Sequence, residues 1–291
     1  MDNAQQITVV KLTGNSVRSV PDLLAVEEPL EIRLAVGDQI QNLAVTMRTP
    51  GHDADLALGF LFTEGIITGP SDVKTVEHVL ASCSENKQNT ILVTLKEGVT
   101  PNLRQAERNF YTTSSCGVCG KASIEAIRTV SPLRNIDPWV GDGIRPALIL
   151  GLPSQLASVQ KVFADTGGLH AAALFDLHGI LQLVREDVGR HNAVDKLVGA
   201  SMTTGKLPLT QSILLLSGRA SFELVQKAAM AGIPMIAAVG APSSLALSLA
   251  EEFGITLIGF LRNDRFNIYS GAHRVNLPVP ENTAHENSYQ R

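Results

Sequence analysis

Residues 213–265 read ILLLSGRASFELVQKAAMAGIPMIAAVGAPSSLALSLAEEFGITLIGFLRNDR, and this stretch decides the fold. Three continuous, mostly apolar runs, Ile213 to Leu216, Met235 to Val239 and Ile255 to Leu261, are separated by helical stretches that end at Gly232 and Gly254. Runs without alternating polar residues fit strands covered on both faces, as parallel strands are. The spacing predicts a β-α-β-α-β unit with right-handed crossovers and helices packed on the sheet. Ligands of such sheets sit beyond the carboxyl ends of the strands. Those ends are Ser217-Gly218-Arg219-Ala220-Ser221, Gly240-Ala241-Pro242-Ser243-Ser244 and Arg262-Asn263-Asp264-Arg265. The first two open helices, whose free N–H groups attract phosphate, and serine hydroxyls with Arg219 add donors. Serine and glycine also serve simply as helix caps. Three coincident loops with three arginines favour a phosphate-bearing ligand.

Upstream, Ala171 to Val184 predicts a hairpin turning at Asp176-Leu177-His178-Gly179. It leads into Arg185-Glu186-Asp187-Val188-Gly189-Arg190-His191-Asn192-Ala193-Val194-Asp195-Lys196. Such a charged run is commonly a solvated face. Gly189 offers a tight turn, however, and Arg190, His191 and Asn192 gather at an expected helix start, where they could hold an anion or assist proton transfer. His170 fits a core histidine or one facing a cysteine loop. Pro153 is expected to begin a helix carrying Leu156, Val159 and Phe163.

Nearer the N-terminus, alternation at Leu30–Val36 and Leu43–Met47 around Gly37-Asp38 predicts a hairpin. Asp53 is expected to cap a helix carrying Leu56 and Phe60 that closes near Gly65, and Thr90 to Leu95 to form a strand. The expected organisation is a smaller N-terminal α+β domain (1–112), a main α/β domain (113–277) and a mobile tail (278–291).

At 291 residues and 44% hydrophobic content the chain can bury a sizeable core. Its 24 Lys plus Arg against 28 Asp plus Glu give a net charge of −4, so no global positive field recruits nucleic acid or an acidic membrane. The start, Met1-Asp2-Asn3-Ala4-Gln5-Gln6, lacks a secretory pattern, and a cytoplasmic location is expected. Three cysteines then serve as core filler, metal ligands or chemistry rather than staples.

Two of them, Cys116 and Cys119, form a Cys-x-x-Cys in Thr112-Thr113-Ser114-Ser115-Cys116-Gly117-Val118-Cys119-Gly120-Lys121, where a helix is expected to start. Free N–H groups there and Lys121 nearby would lower a thiol pKa, most at Cys116. Half of a zinc site, a thioredoxin-like dithiol, a persulfide-accepting nucleophile and buried apolar thiols all fit this spacing. Zinc lacks ligands, because the remaining Cys83 lies in a separate polar stretch. A thioredoxin-like pair would follow the first strand of a βαβ unit, whereas here a hairpin-rich region precedes it. Spacing alone does not select persulfide chemistry.

Together these segments resemble the FdhD family of formate dehydrogenase accessory sulfurtransferases. The resemblance runs through nearly the whole chain and rests on Ser115-Cys116-Gly117-Val118-Cys119-Gly120, Glu186 to Gly199, Ser217-Gly218-Arg219 through Ser244, and Met47 to Leu61. It implies a carrier that takes sulfur from a cysteine desulfurase and gives it to the molybdenum cofactor, in its molybdopterin guanine dinucleotide form, for formate dehydrogenase. It also implies that Cys116 carries the persulfide with Cys119 secondary, that Phe260-Leu261-Arg262-Asn263-Asp264-Arg265 contact the cofactor, and that the protein is a homodimer. The family's main domain is similar to the cytidine deaminase fold. The deaminase His-x-Glu is missing, since Ala171 and Ala172 follow His170, which disfavours zinc-dependent deamination. The rival expectation is a nucleotide-binding chaperone that shields the cofactor, its cysteines structural or metal-bound.

Overall fold

The structure, a computed structural model, describes residues 3–79, 89–103 and 143–278. Cys83, Cys116 and Cys119, the expected boundary near residue 112 and nearly all of the expected tail lie outside these residues. The three apolar runs form β9 (Ser212–Leu216), β10 (Met235–Ala238) and β11 (Thr256–Gly259). They pair in parallel, Leu215 beside Ala237 and Ala237 beside Ile258. The crossovers are α5 (Phe222–Met230) and α6 (Ser244–Glu252), which stop just before Gly232 and Gly254, both at positive φ.

Parallel pairing covers only the middle of the six-stranded sheet, ordered β12-β11-β10-β9-β7-β8. The hairpin β7 (His170–Asp176) and β8 (Leu181–Asp187) runs antiparallel to β9, and β12 (Asn267–Ser270) runs antiparallel to β11. The sheet is therefore mixed. Both its faces are buried, as the apolar runs require. Leu214, Leu216, Ile236 and Leu257 face one core, while Ile213, Leu215, Met235 and Ile258 face another covered by α2 (Pro146–Val159) through Ile149, Leu152 and Leu156.

A second, four-stranded sheet has the order β4-β3-β6-β5. Its strands are β3 (Glu28–Val36), β4 (Gln39–Arg48), β5 (Val73–His78) and β6 (Thr90–Leu95). The expected hairpin is β3–β4, with Val36 opposite Gln39 across Gly37-Asp38. Between the sheets lie α1 (Asp53–Thr63) and α4 (Arg190–Thr203). One apolar core runs through them from Leu30, Ile32 and Leu34 to Leu214 and Leu216. Further elements are the ribbon β1 (Ala4–Thr13) and β2 (Ser16–Ala25), which among the described residues pair only with each other, and the short α3 (Lys161–Thr166). No helix among the described residues is long and apolar enough to cross a membrane.

Two expected helix starts move. His52, in the left-handed region, caps α1, while Asp53 is buried inside it. Its carboxylate accepts two bonds from the buried Arg48 guanidinium, at 3.1 and 3.0 Å, which stabilise it more than capping would. Likewise α2 begins at Pro146, whose missing N–H costs nothing at a first position. Pro153 sits inside that helix rather than opening it.

The central helices touch through glycine. A Cβ on Gly59 of α1 would overlap the carbonyl oxygen of Asp195, and one on Gly199 of α4 would overlap that of Asp55. Their backbones thus meet without intervening side chains. Gly59→Ala and Gly199→Ala should each lose about 3 kcal/mol or more, measured by denaturant unfolding, because the clash is with backbone that cannot swing aside. Gly151→Ala in α2, where none of the described residues lies within 4 Å of an added Cβ, should instead gain roughly 0.5–1 kcal/mol.

Candidate functional site at the strand ends

The carboxyl ends of β9, β10 and β11 share one edge of the sheet. Because β7 and β8 run antiparallel there, His170 at the start of β7 and Asp187 at the end of β8 pair at this edge. Pairing of Ala172 with Leu216 sets His170 level with Gly218. Three helices, α4, α5 and α6, begin at the same edge, so the positive ends of three dipoles gather there. Sequence-distant loops are laced by backbone bonds: Gly240 N donates to Gly218 O at 2.8 Å, Ala220 N to Ala241 O at 3.2 Å, and Phe260 N to Gly240 O at 3.1 Å.

On this edge Ser217, Gly218, Arg219, Arg190 and His191 come together. Gly218 lets the His170 ring pack against it, Nδ1 being 3.3 Å from where a Cβ would stand. Burial, then the charges of Arg190 and His191, holds the His170 pKa below its ordinary value, which favours the neutral ring. The buried Arg190 Nε has no hydrogen-bond partner among the described residues. Arg219 is exposed. His191 Nε2 lies 3.4 Å from Ser221 Oγ and 3.7 Å from the Glu223 carboxylate. That contact, with further hydrogen bonds from Ser221 and the residue's own N–H, holds the Glu223 pKa at about 2 against the effect of burial. Ser243, by contrast, spends its hydroxyl on a cap, accepting from Ala246 N at 3.2 Å. Of the two serine loops, one therefore follows the plain capping reading.

The segment Phe260–Arg265 forms the far end of the edge. Phe260 has φ 52° and is 43% exposed, and with Arg262, Arg265 and Asn267 it lines a shallow cleft of about 270 Å³. Arg262 Nη1 donates to Val239 O at 2.6 Å, folding the guanidinium back over β10. Asn263 Oδ1 accepts from Ser154 at 3.3 Å, and Arg265 lies 3.6 Å from Asp264 on the surface. Leu261 is 1% exposed and its side chain belongs to the core, so only its backbone can face a ligand. The Ser217 hydroxyl already accepts from Ala171 N at 2.8 Å, which leaves its proton to donate.

Within the charged run 185–196, the division between surface and site misses what half of it does. Asp187, Asn192, Asp195 and Lys196 are buried struts. Lys196 Nζ lies 2.7 Å from Asp187 and donates to Thr49 O at 2.8 Å. Asp187 also accepts from Thr49 N, Gly189 N and Asn192 Nδ2. Asp195 accepts from Thr63 at 2.8 Å and pairs with the buried Lys227 at 3.0 Å. Burial alone would depress the Lys227 ammonium, but Asp195 and Glu64 raise its pKa well above the usual range. Neither Lys227 nor Thr63 stands out in the sequence, because Thr63 meets Asp195 132 residues on and Lys227 meets Glu64 163 residues back. Only a hydrophilic residue inside an otherwise apolar helix face hints at such a pair.

The sequence profile of the FdhD/NarQ family matches residues 25–276. The chain belongs to that family. It is 54% identical over 271 residues to the protein named sulfur carrier protein FdhD of Mycolicibacterium paratuberculosis, covering 92% of this chain and 97% of the relative. The protein of the same name from Anaeromyxobacter dehalogenans is 47% identical, with 92% of each chain covered. A crystal structure of a candidate formate dehydrogenase accessory protein from Desulfotalea psychrophila superposes with a TM-score of 0.70, covering 94% of this chain and all of the other. At 24% identity that likeness speaks to the fold of this FdhD/NarQ member.

Two outcomes follow from the edge. Lys196→Met should cost about 3–5 kcal/mol in denaturant unfolding, because Asp187 is left buried without its cation. Because the Glu223 pKa is depressed, the ionised carboxylate contributes stability above its unfolded value near 4.5, and this is lost as pH falls toward about 2. His191→Ala should move the Glu223 pKa upward in a carboxylate NMR titration.

Proposed function

We propose that this protein carries sulfur as a persulfide on Cys116 from a cysteine desulfurase to molybdopterin guanine dinucleotide, the cofactor form used by formate dehydrogenase. The observation that carries the reading is the family membership combined with the strand-end edge. That edge gathers Arg190, His191, Gly218 and Arg219 with three helix N-termini, an arrangement suited to the phosphates of a dinucleotide. Relatives sharing about half of the sequence bear the name sulfur carrier protein FdhD.

In the loading step the Cys116 thiolate attacks the outer sulfur of the desulfurase persulfide. The S–S bond of the donor breaks, the desulfurase thiolate leaves, and the outer sulfur with its proton now sits on Cys116. In the delivery step Cys119 attacks the inner sulfur of Cys116. The outer sulfur departs as hydrosulfide toward the acceptor, and the pair is left as a disulfide that a thiol reductant returns to the dithiol. Arg219 and Arg262 offset the acceptor's phosphate charge, Phe260 offers an aromatic face to its guanine, and neutral His170 can accept a proton at the same edge.

Mass spectrometry of the chain after incubation with desulfurase and cysteine tests the reading directly. Addition of one sulfur, about 32 Da, on Cys116 is expected, with none on Cys116→Ala. Cys119→Ala should load but release sulfur slowly. An unloaded Cys116 in a chain that still binds guanine nucleotide would overturn sulfur transfer in favour of a chaperone that shields the cofactor. For the acceptor site, Arg190→Ala or Arg219→Ala should weaken calorimetric binding of guanosine diphosphate by roughly tenfold, an effect of about 1.4 kcal/mol.

A further inference from the structure

Strand β4 forms one edge of the four-stranded sheet, and among the described residues it pairs with β3 alone. An edge strand carries amides and carbonyls with no ladder partner on one side, and these invite a further strand unless something covers them. At one end of β4 something does. Asn192, at the start of α4, donates through Nδ2 to Met47 O at 2.8 Å and accepts from Thr46 Oγ1 at 3.2 Å. Met47 lies opposite Pro29, which has no N–H to offer it, so the Met47 carbonyl points away from β3. The register is unbroken from Arg48 to Ala44, and backbone groups two residues apart in a strand point the same way. The amide and carbonyl of Val45 therefore face outward as well.

Beside Val45 opens a groove of about 290 Å³, where β4 meets α1, α4 and α5. Ala44, Leu56 and Phe60 give it an apolar wall. Its polar end carries the carboxyl groups of Glu64, Asp195 and Glu223 against the ammonium of Lys227, with His191 beside Glu223. Lys227 is already committed to the floor: Nζ donates to Thr63 Oγ1 and to Glu64, each at 2.9 Å, and lies 3.0 Å from Asp195. The acidic character that remains is thus offered to whatever enters the groove.

The pleat of β4 fixes what an added strand would meet. Ala44 and Thr46 are half-buried and line the groove, whereas Val45 and Met47 project from the other face, 65% and 47% exposed. A strand laid beside β4 would continue this alternation. One set of its side chains would enter the groove, toward Phe60 and the carboxyl groups. The other set would lie along Val45 and Met47. Long basic side chains suit the first set, because their aliphatic stems cover an aromatic ring while their heads reach the acids, and apolar side chains suit the second.

We propose that this edge is a docking site for an extended basic segment of another protein, which adds to the sheet as a fifth strand beside β4. Its lysine or arginine side chains occupy the groove, and main-chain bonds to Val45 hold it in register. His191 borders both the groove and the strand-end edge, so a docked segment lies next to that edge. Docking requires neither Cys116 nor a nucleotide, and it stands apart from sulfur transfer.

Fluorescence anisotropy with the full chain tests it, the probe being a labelled, end-blocked peptide of alternating valine and lysine. Saturable binding is expected. A peptide with the same residues in two separate blocks, and one with glutamate in place of lysine, should each bind roughly tenfold more weakly or worse. N-methylation of alternate amides should do the same in one of its two phases, the one whose amides face β4. On the protein side, Glu223→Gln should weaken binding roughly tenfold, as should Val45→Pro, which removes the outward N–H at an edge position that tolerates proline. Circular dichroism checks that both variants fold, and if Val45→Pro does not, the N-methylated peptides decide the same point. Absence of saturable binding would overturn the proposal. So would equal binding of the block peptide, indifference to Glu223→Gln, or indifference to N-methylation in both phases.

Discussion

Everything in this molecule is arranged around the place where α1 and α4 touch backbone to backbone through Gly59 and Gly199. Without side chains between them the two helices form a single narrow layer, and each sheet packs its apolar face against it. Around the contact the polar groups form a lock. Arg48 holds Asp53, Lys196 holds Asp187, and Lys227 holds Asp195, all nearly or wholly buried. Burying so many charges is costly unless each is matched, and here each carboxylate meets a cation with additional hydrogen bonds. The matched set ties α1 to β4, and α4 to both β8 and α5. In physical terms the core supplies cohesion and the ionic lock supplies register.

That register positions the strand-end edge. Asp187 anchors Gly189 N and Asn192 at the start of α4, which places Arg190 and His191 beside the end of β9. The antiparallel hairpin β7–β8 then contributes His170 from the opposite chain direction. A purely parallel sheet would bring only loops that follow strands to this edge. The mixed sheet brings a strand start as well, and so assembles groups from residues 170 to 265 within one surface.

Much of this is visible in the residues themselves. The runs at 213 and 235 are apolar at every position and the run at 255 is interrupted by a polar residue only at Thr256, because strands covered on both faces need no alternation, and the β3–β4 hairpin shows alternation because one face is wetter. The glycines closing α5 and α6 mark their ends. What stays hidden depends on partners that only the folded chain brings into place. Asp53 looks like a cap until Arg48 is brought beside it, and Pro153 looks like a helix start although Pro146 also fits and is used. β12 is four residues long with no pattern to betray it, and the ribbon's alternation is blurred by Val9 and Val10 in succession. For the site, the loops at 217, 240 and 262 stand out because their place follows from strand order alone. Their bonding does not, since the folding back of Arg262 and the capping role of Ser243 are decided by carbonyls and amides that only the tertiary structure supplies. The family resemblance extends the sequence reading further, naming Cys116 and Cys119, which lie outside the described residues.

Phe260 shows what such scaffolding accomplishes. A non-glycine residue in the left-handed region is strained, and the chain holds it there by bonding Phe260 N to Gly240 and Leu261 N to Ala238. The ring is thereby lifted off the sheet into solvent while its neighbour Leu261 is sunk in the core. A planar guest arriving at this platform would find its backbone already immobilised, with the entropic toll settled when the chain folded, so recognition there can be quick and selective without a rearranging loop.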